Sequence, residues 1–126
     1  MSYKYRDYVC PYCFNQVDKC KCKQKPESLV MIDKNLQSAI RTLNQKGYKT
    51  FGCCEGHFYR HDVELYILFH QTVELDSIPS GFEKTKHFKK ISYRYRDRNN
   101  EENFELEKQK AIESLNEWID SLSVKE

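Results

Sequence analysis

The sequence lacks any long apolar run. Its longest one, Leu65 to Phe69, has the length of a β-strand and falls far short of the roughly 20 residues that cross a bilayer. The opening residues, 1–8, are polar and aromatic, without the apolar segment of a secretory signal peptide. No internal repeat and no low-complexity tract is evident. We therefore expect a cytoplasmic protein that does not contact a membrane.

The 126 residues suit one domain with, at most, a small appended module. The net charge of +2 is unevenly distributed along the chain. Residues 82–98 carry seven Lys/Arg against two Asp/Glu, whereas residues 99–126 carry three against eight. Residues 1–25 carry six Lys/Arg against two Asp. The asymmetry predicts that the basic segments 1–25 and 82–98 form one patch if the fold brings them together, with the acidic C-terminal segment elsewhere.

Four of the six cysteines, Cys10, Cys13, Cys20 and Cys22, lie within thirteen positions. A Cys-x-x-Cys turn brings two thiolates to one point, and a second close pair can complete a tetrahedron around Zn²⁺. The second pair is Cys-x-Cys, and since alternate residues of a strand point to opposite faces, the backbone must bend there. A site with four thiolates is closed, so its zinc is expected to be structural.

Two alternatives to zinc stay open. Six cysteines could instead form a disulfide framework, although clustered cysteines in a reducing compartment are more often metal ligands. They could also be unpaired thiols that cluster by chance.

The pattern predicts an α+β fold. We expect a two-layer domain in residues 27–126, in which two helices pack on a mostly antiparallel sheet of three to four strands, preceded by a zinc-knuckle module in residues 1–26. Helical spacing after Asp33, a candidate N-cap, predicts a first helix that ends near Gly47. Strands are predicted at residues 48–54, 63–70 and 82–96, and a long amphipathic helix after Asn99 or Asn100.

A second chemically dense segment is the turn after the first strand of this domain. It combines thiols, a carboxylate, imidazoles and a guanidinium, in Cys53, Cys54, Glu55, His57, Arg60 and His61. Three interpretations remain: a second metal bound by one of the two cysteines with the histidines, an anionic ligand bound by the turn, or small buried cysteines with surface histidines. A Cys-His catalytic pair also lies within this set, but no third orienting residue is evident.

The run from Gly47-Tyr48-Lys49-Thr50 to Cys53-Cys54-Glu55-Gly56-His57 resembles a recurrent type of small protein from Gram-positive bacteria and their phages. The resemblance covers about residues 33–95 and implies no established activity. The Cys54-to-His57 turn is also similar to the Ser-Cys-Ser-Gly-Arg turn of wybutosine-synthesis methyltransferases, with Glu55 in place of serine and His57 in place of arginine. This second similarity implies a ligand-binding turn.

The leading functional hypothesis is a non-catalytic, zinc-stabilised protein that binds nucleic acid or a nucleic-acid-handling protein. Basic side chains would neutralise phosphates and tyrosines would stack on bases. The candidate contacts are Tyr5, Arg6, Lys19, Lys21, Lys23, Lys86, Lys89, Lys90, Arg94, Arg96 and Arg98. Alternatively, the module lysines only solvate a small finger, and Arg94 and Arg96 pair with the acidic final helix.

Two further hypotheses belong to other classes. One is a phage-type effector that binds a host protein or sequesters a nucleotide, through the acidic helix or through the turn from Gly52 to His57. The other is a small enzyme that uses Cys54, Glu55 and His57.

Overall fold

The computed structural model describes residues 6–16, 19–22, 30–85 and 89–125. Within these ranges the strands are β1 (Arg6–Val9), β2 (Val30–Asp33), β3 (Thr50–Cys54), β4 (Glu64–Phe69), β5 (Glu83–Thr85) and β6 (Lys90–Arg94). The helices are α1 (Gln37–Gln45) and α2 (Glu101–Ser121), and short 3₁₀ turns cover Lys34–Leu36 and Phe58–Arg60. The predicted α+β class is confirmed.

The larger sheet has four antiparallel strands in the order β3-β4-β6-β5. Its central strand β4 alternates buried Leu65, Ile67 and Phe69 with half-buried neighbours, which is the period-2 pattern of a strand with one face on the core. Both helices contribute to the cluster that covers this face. The result is a two-layer arrangement.

Strands β1 and β2 form a separate two-stranded antiparallel ribbon. Val9 of β1 and Ile32 of β2 are buried in the same cluster as the main sheet and the helices. The domain boundary predicted between residues 26 and 27 stays a prediction. The two strands that pair here lie on either side of it.

Helix α1 buries Ala39, Ile40 and Leu43, as its spacing predicts, and the chain leaves it through Gly47 at φ +94°. Asp33 takes an N-cap position, but that of the 3₁₀ turn Lys34–Leu36, which leads directly into α1. Its side chain makes no capping hydrogen bond, and its Oδ2 accepts the backbone N–H of Glu55 at 2.8 Å instead. A contact with a residue distant in sequence therefore replaces the local cap.

Helix α2 begins as predicted, with Asn100 as N-cap, because the Asn100 side chain accepts the backbone N–H of Asn103 at 3.0 Å. Its buried stripe includes Phe104, Ala111, Leu115 and Trp118. Lys108 occupies the same stripe and is buried too. Neither helix in the described part of the chain is long and apolar enough to cross a membrane.

Candidate metal centre and basic surface

The thiols of Cys10, Cys13, Cys20 and Cys22 converge, with their sulfur atoms all within 4.8 Å of one another. In tetrahedral coordination with metal–sulfur bonds of about 2.3 Å, the sulfurs are about 3.8 Å apart. The Sγ atoms of Cys10 and Cys22 are 4.0 Å apart. The four residues therefore have the spacing needed to hold a metal ion.

The backbone around the first pair forms a tight knuckle. The N–H of Tyr12 points at the Cys10 Sγ at 3.4 Å, and the N–H of Phe14 donates to the Cys10 carbonyl at 2.8 Å. Phe14 takes a left-handed conformation at φ 60°, which reverses the chain, and Asn15 accepts the N–H of Cys10. This arrangement aims N–H dipoles at a sulfur, which favours a thiolate.

The second pair lies in a segment without a strand, since residues 20–22 have no regular structure. The bend that the Cys-x-Cys spacing requires is therefore present, and Cys20 and Cys22 both reach the cluster. The N–H of Lys19, just before Cys20, donates to the Gln16 carbonyl at 2.9 Å. This hydrogen bond fixes the backbone immediately before the Cys20–Cys22 pair.

Two thiols of the cluster, those of Cys10 and Cys22, have strongly shifted pKa values. Burial acts to raise the pKa of Cys10, but hydrogen bonds from the backbone of Cys13 and Tyr12 and from neighbouring thiols lower it to about 7. Hydrogen bonding to Cys20, burial and the remaining thiols raise the pKa of Cys22 to about 12. One thiol thus ionises easily and another resists, as expected where negative charges must share one small volume. A bound cation would relieve that repulsion.

The turn after β3 separates its functional groups. Cys53 pairs with Ile67 and packs against the core, while Cys54 pairs with Tyr66 on the other sheet face. Burial raises the pKa of Cys53 to about 12 and that of Cys54 to about 11. The two adjacent thiols therefore diverge, as the sequence indicates, and neither has the lowered pKa typical of a catalytic cysteine.

Glu55 faces the interior and is only 1% exposed. Its Oε2 lies 3.1 Å from the Lys108 Nζ and accepts the Asn35 side-chain amide at 2.7 Å. The Tyr95 hydroxyl donates to the Glu55 carbonyl at 2.5 Å. These contacts give the glutamate a structural role, because they fix the turn from the core side and leave its carboxylate out of reach of a ligand.

His57 is buried beside Asp33, with its Nε2 3.3 Å from the Asp33 Oδ2. Cys54, Asp33 and His57 each offer a ligand atom within 4.8 Å of the others. The backbone N–H of His57 donates to the Asp62 carboxylate at 2.9 Å, which closes the loop that follows. This group, in which Asp33 and His57 are buried and Cys54 is half-buried, brings together the ends of β2 and β3.

Arg60 and His61 lie further out. The guanidinium of Arg60 is 3.9 Å from the Asp62 carboxylate and remains largely exposed. His61 is exposed and has a left-handed backbone. Within the described residues it does not join either set of side chains that could share a metal ion. It lines a groove of about 270 Å³ together with Arg96, Arg98 and Asn99.

Three of the predicted basic contacts gather at the end of β6. Arg94, Arg96 and Arg98 are exposed and line a groove of about 460 Å³ with Tyr93, and the last two also line the groove of His61. Among the described residues, none of these guanidinium groups forms an ion pair. We call these three residues the arginine surface.

The acidic helix binds this segment through other groups. Glu107 accepts the Tyr93 hydroxyl at 2.6 Å and the backbone N–H groups of Arg96 and Asp97. Burial acts to raise the pKa of Glu107, but these hydrogen bonds lower it overall. These hydrogen bonds leave the three guanidinium groups exposed, and the charge of Arg96 also helps to lower the pKa of Glu107.

The predicted lysine contacts are dispersed. Lys89 donates to the Val73 carbonyl at 2.8 Å, and Lys90 forms an ion pair with Glu64 at 3.0 Å, so both are engaged within the fold. Lys19 and Lys21 are exposed beside Cys20 and Cys22, in the N-terminal segment that we call the cysteine module (residues 1–26). No described residue of this module lines either groove of the arginine surface. The remaining candidates, Tyr5, Lys23, Lys86 and the side chain of Arg6, lie outside the described part of the chain.

An apolar cleft of about 320 Å³ separates the cysteine module from β3. It is lined by Pro11 and Phe14 of the module, by β2 and by Phe51 to Cys53. Phe51 is 66% exposed and Met31 43% exposed, which are high values for such side chains.

Several residues that shape these sites carried no functional signal in the sequence. Asp33 reaches the turn across 22 residues of chain, a separation that no local motif reveals. Asp62 lies only five residues after His57, but it belongs to no recognised motif. Lys108 could have been found, because it lies four residues after Phe104 on the apolar stripe, where a lysine is expected only with a buried partner.

No protein-family model matches this chain, and no curated protein and no solved structure is significantly similar to it.

Proposed function

We propose that this protein is a non-catalytic nucleic-acid-binding protein whose N-terminal module is folded around zinc. The observation that carries the binding proposal is the arginine surface, with three exposed guanidinium groups that form no ion pair with a described residue. Exposed arginines that form no ion pair with the described residues suit phosphate oxygens, which they contact through two parallel hydrogen bonds.

The donor set supports zinc as the metal. Four thiolates select soft or borderline cations, and Zn²⁺ takes four sulfurs in a closed tetrahedron. The module is too short for a core of its own, so the metal would supply much of its folding energy. We expect this cluster alone to bind about one zinc per chain through Cys10, Cys13, Cys20 and Cys22, and to show the thiolate-to-metal absorption of a tetrathiolate site after replacement by Co²⁺.

The binding test is a salt series with single-stranded and double-stranded oligonucleotides. Each phosphate contact contributes about 0.7 to the slope of log K against log salt for single strands and about 0.9 for duplex DNA. Replacing all three residues of the arginine surface with alanine is expected to lower the slope by about 2 for single strands or by nearly 3 for duplex.

A charge-matched control separates a local contact from the effect of net charge. Lys34, Lys49 and Lys110 are exposed at other places in the fold, and replacing all three with alanine removes the same charge. We expect this control variant to keep most of the slope of log K against log salt that the unaltered protein shows. Equal losses in the two triple variants, or no binding by the unaltered protein at low salt, would contradict the proposal.

A nucleic-acid-handling protein is the second candidate partner, favoured by the apolar cleft beside the cysteine module. Phe51 and Met31 would bury apolar area on a partner chain, as anchors of protein interfaces do. Substituting both with serine should abolish capture of such a protein while leaving oligonucleotide binding unchanged. A thermal-shift series with mononucleotides tests the remaining alternative, in which the arginine surface holds a free nucleotide.

A further inference from the structure

The turn Cys54-Glu55-Gly56-His57 repeats a feature of the cysteine module. In the module, the N–H of Tyr12 points at the sulfur of Cys10, two residues earlier, at 3.4 Å. In the turn, the N–H of Gly56 points at the sulfur of Cys54, again two residues earlier and again at 3.4 Å. Both turns therefore aim a backbone dipole at a cysteine sulfur, and both place a second ligand-type side chain three residues after that cysteine.

We propose that Cys54, His57 and Asp33 form a second metal site, which binds one divalent cation of the zinc class in addition to the metal of the four-cysteine cluster. The three residues offer sulfur, nitrogen and oxygen within 4.8 Å of one another. This mixed donor set suits Zn²⁺ and its spectroscopic substitute Co²⁺. The proposal goes beyond the proposed function and does not depend on nucleic-acid binding.

The separation of the two buried ligands fits a shared metal. His57 Nε2 and Asp33 Oδ2 are 3.3 Å apart. Two ligand atoms that are each about 2.05 Å from a tetrahedral zinc lie about 3.3 Å from each other. The Cys54 sulfur needs to approach by less than 1.5 Å to complete the same geometry.

The ligands are held in place by the surrounding fold. The N–H of Glu55 donates to the Asp33 carboxylate at 2.8 Å, which is the type of second contact that orients a metal-binding carboxylate. The His57 backbone is fixed by its hydrogen bond to Asp62. Gly56 has φ +84°, and a Cβ there would lie 2.6 Å from the buried Tyr95 ring, so the turn is locked against the core.

Three protein ligands leave a fourth tetrahedral position. Cys54 is only half-buried, and the carboxylate of Asp62 approaches its sulfur to 3.9 Å. If a metal were bound, the Asp62 carboxylate, solvent or an exogenous ligand could supply the fourth ligand, because Cys54 is the most exposed of the three residues. In this respect the site differs from the closed tetrathiolate cluster.

The sequence left open a different ligand set, which combines either cysteine with His57 and His61. The structure favours Asp33 as the third ligand, because His61 is exposed and lies outside the group. Cys53 packs against the core on the opposite face of the sheet. These two residues therefore provide matched controls of the same residue types.

The test is metal counting and Co²⁺ titration of the full-length protein after gel filtration. We expect about two metals per chain, and a titration in two phases: a spectrum rich in thiolate-to-Co²⁺ absorption, then one with a single thiolate. Cys54→Ser, His57→Ala and Asp33→Asn should each bind one metal fewer and keep the tetrathiolate spectrum. Cys53→Ser and His61→Ala should still bind two.

The unaltered protein by itself can overturn the proposal. A single-phase titration that ends at one metal per chain would do so, even if every variant failed to fold. Two metals retained in folded Cys54→Ser and His57→Ala would overturn it as well. A second equivalent that disappears in His61→Ala would assign the metal to the other ligand set.

Discussion

The buried ion pair between Glu55 and Lys108 offers a sharp test of how the turn after β3 is held. The two residues are 1% and 4% exposed, and the charged atoms are 3.1 Å apart. Replacing one partner of a buried pair leaves an uncompensated charge and costs about 3–5 kcal/mol. In Lys108→Met the carboxylate keeps its hydrogen bond from Asn35, so we expect the lower end, about 3 kcal/mol.

Urea unfolding at a fixed concentration of free zinc measures this cost, because bound metal adds to the apparent stability. With an m value of about 1.5 kcal/mol/M, a loss of about 3 kcal/mol moves the midpoint down by about 2 M. The matched control is Lys110→Met, which changes an exposed lysine of the same helix and should alter the unfolding free energy by less than about 0.5 kcal/mol.

The double variant Glu55→Gln with Lys108→Met decides the interpretation. If the cost comes from the stranded carboxylate, removing its charge as well should recover about 2 kcal/mol relative to the sum of the single changes. A Lys108→Met protein within 1 kcal/mol of the unaltered one would refute the reasoning. So would strictly additive single changes, since they would mean that the two charges do not interact.

Three other predictions concern the turn, the acidic helix and the metal. Gly56→Ala should lower the free energy of unfolding by about 3 kcal/mol, because it combines a left-handed backbone with a clash against the Tyr95 ring. The control Gly81→Ala also has a left-handed backbone, at φ +83°, but no contact closer than 3.6 Å, and should cost only about 1 kcal/mol. Equal losses in the two variants would contradict the clash. The lowered pKa of Glu107 stabilises the protein above about pH 4.5, and this contribution is lost as the pH falls through the folded-state pKa. Acid unfolding of Glu107→Gln should therefore be less steep than that of the exposed control Glu113→Gln. Removing bound metal with a strong chelator should lower the melting temperature, since metal binding contributes folding energy, and an unchanged value would argue against any structural metal.

Local patterns in the sequence were sufficient where the relevant contacts are themselves local. The period-2 alternation of β4, the Asn100 cap and the close spacing of the four cysteines are each confined to a few residues or turns, and the structure has all three. Such features follow from backbone geometry, which a short window of sequence already constrains.

Contacts between distant segments were beyond the reach of these patterns. Asp33 looks like a helix cap, because aspartate before a helix usually fills that role, but its carboxylate serves the turn after β3. The basic segment of residues 82–98 likewise reads as one patch. In the structure Lys89 and Lys90 bind groups within the fold, whereas the arginine surface is exposed.

The ribbon of β1 and β2 links the two candidate metal sites. β1 leads directly into Cys10, while β2 ends at Asp33, and the register pairs Val9 with Val30 at one end and Arg6 with Asp33 at the other. Three residue steps of about 3.3 Å put the ends of the ribbon about 10 Å apart. Disorder at the four-cysteine cluster would extend into β1, because Cys10 directly follows Val9, and β1 pairs with the strand that positions Asp33. Filling the first site should therefore favour filling the second, as expected when one folded element supplies ligands or support to both.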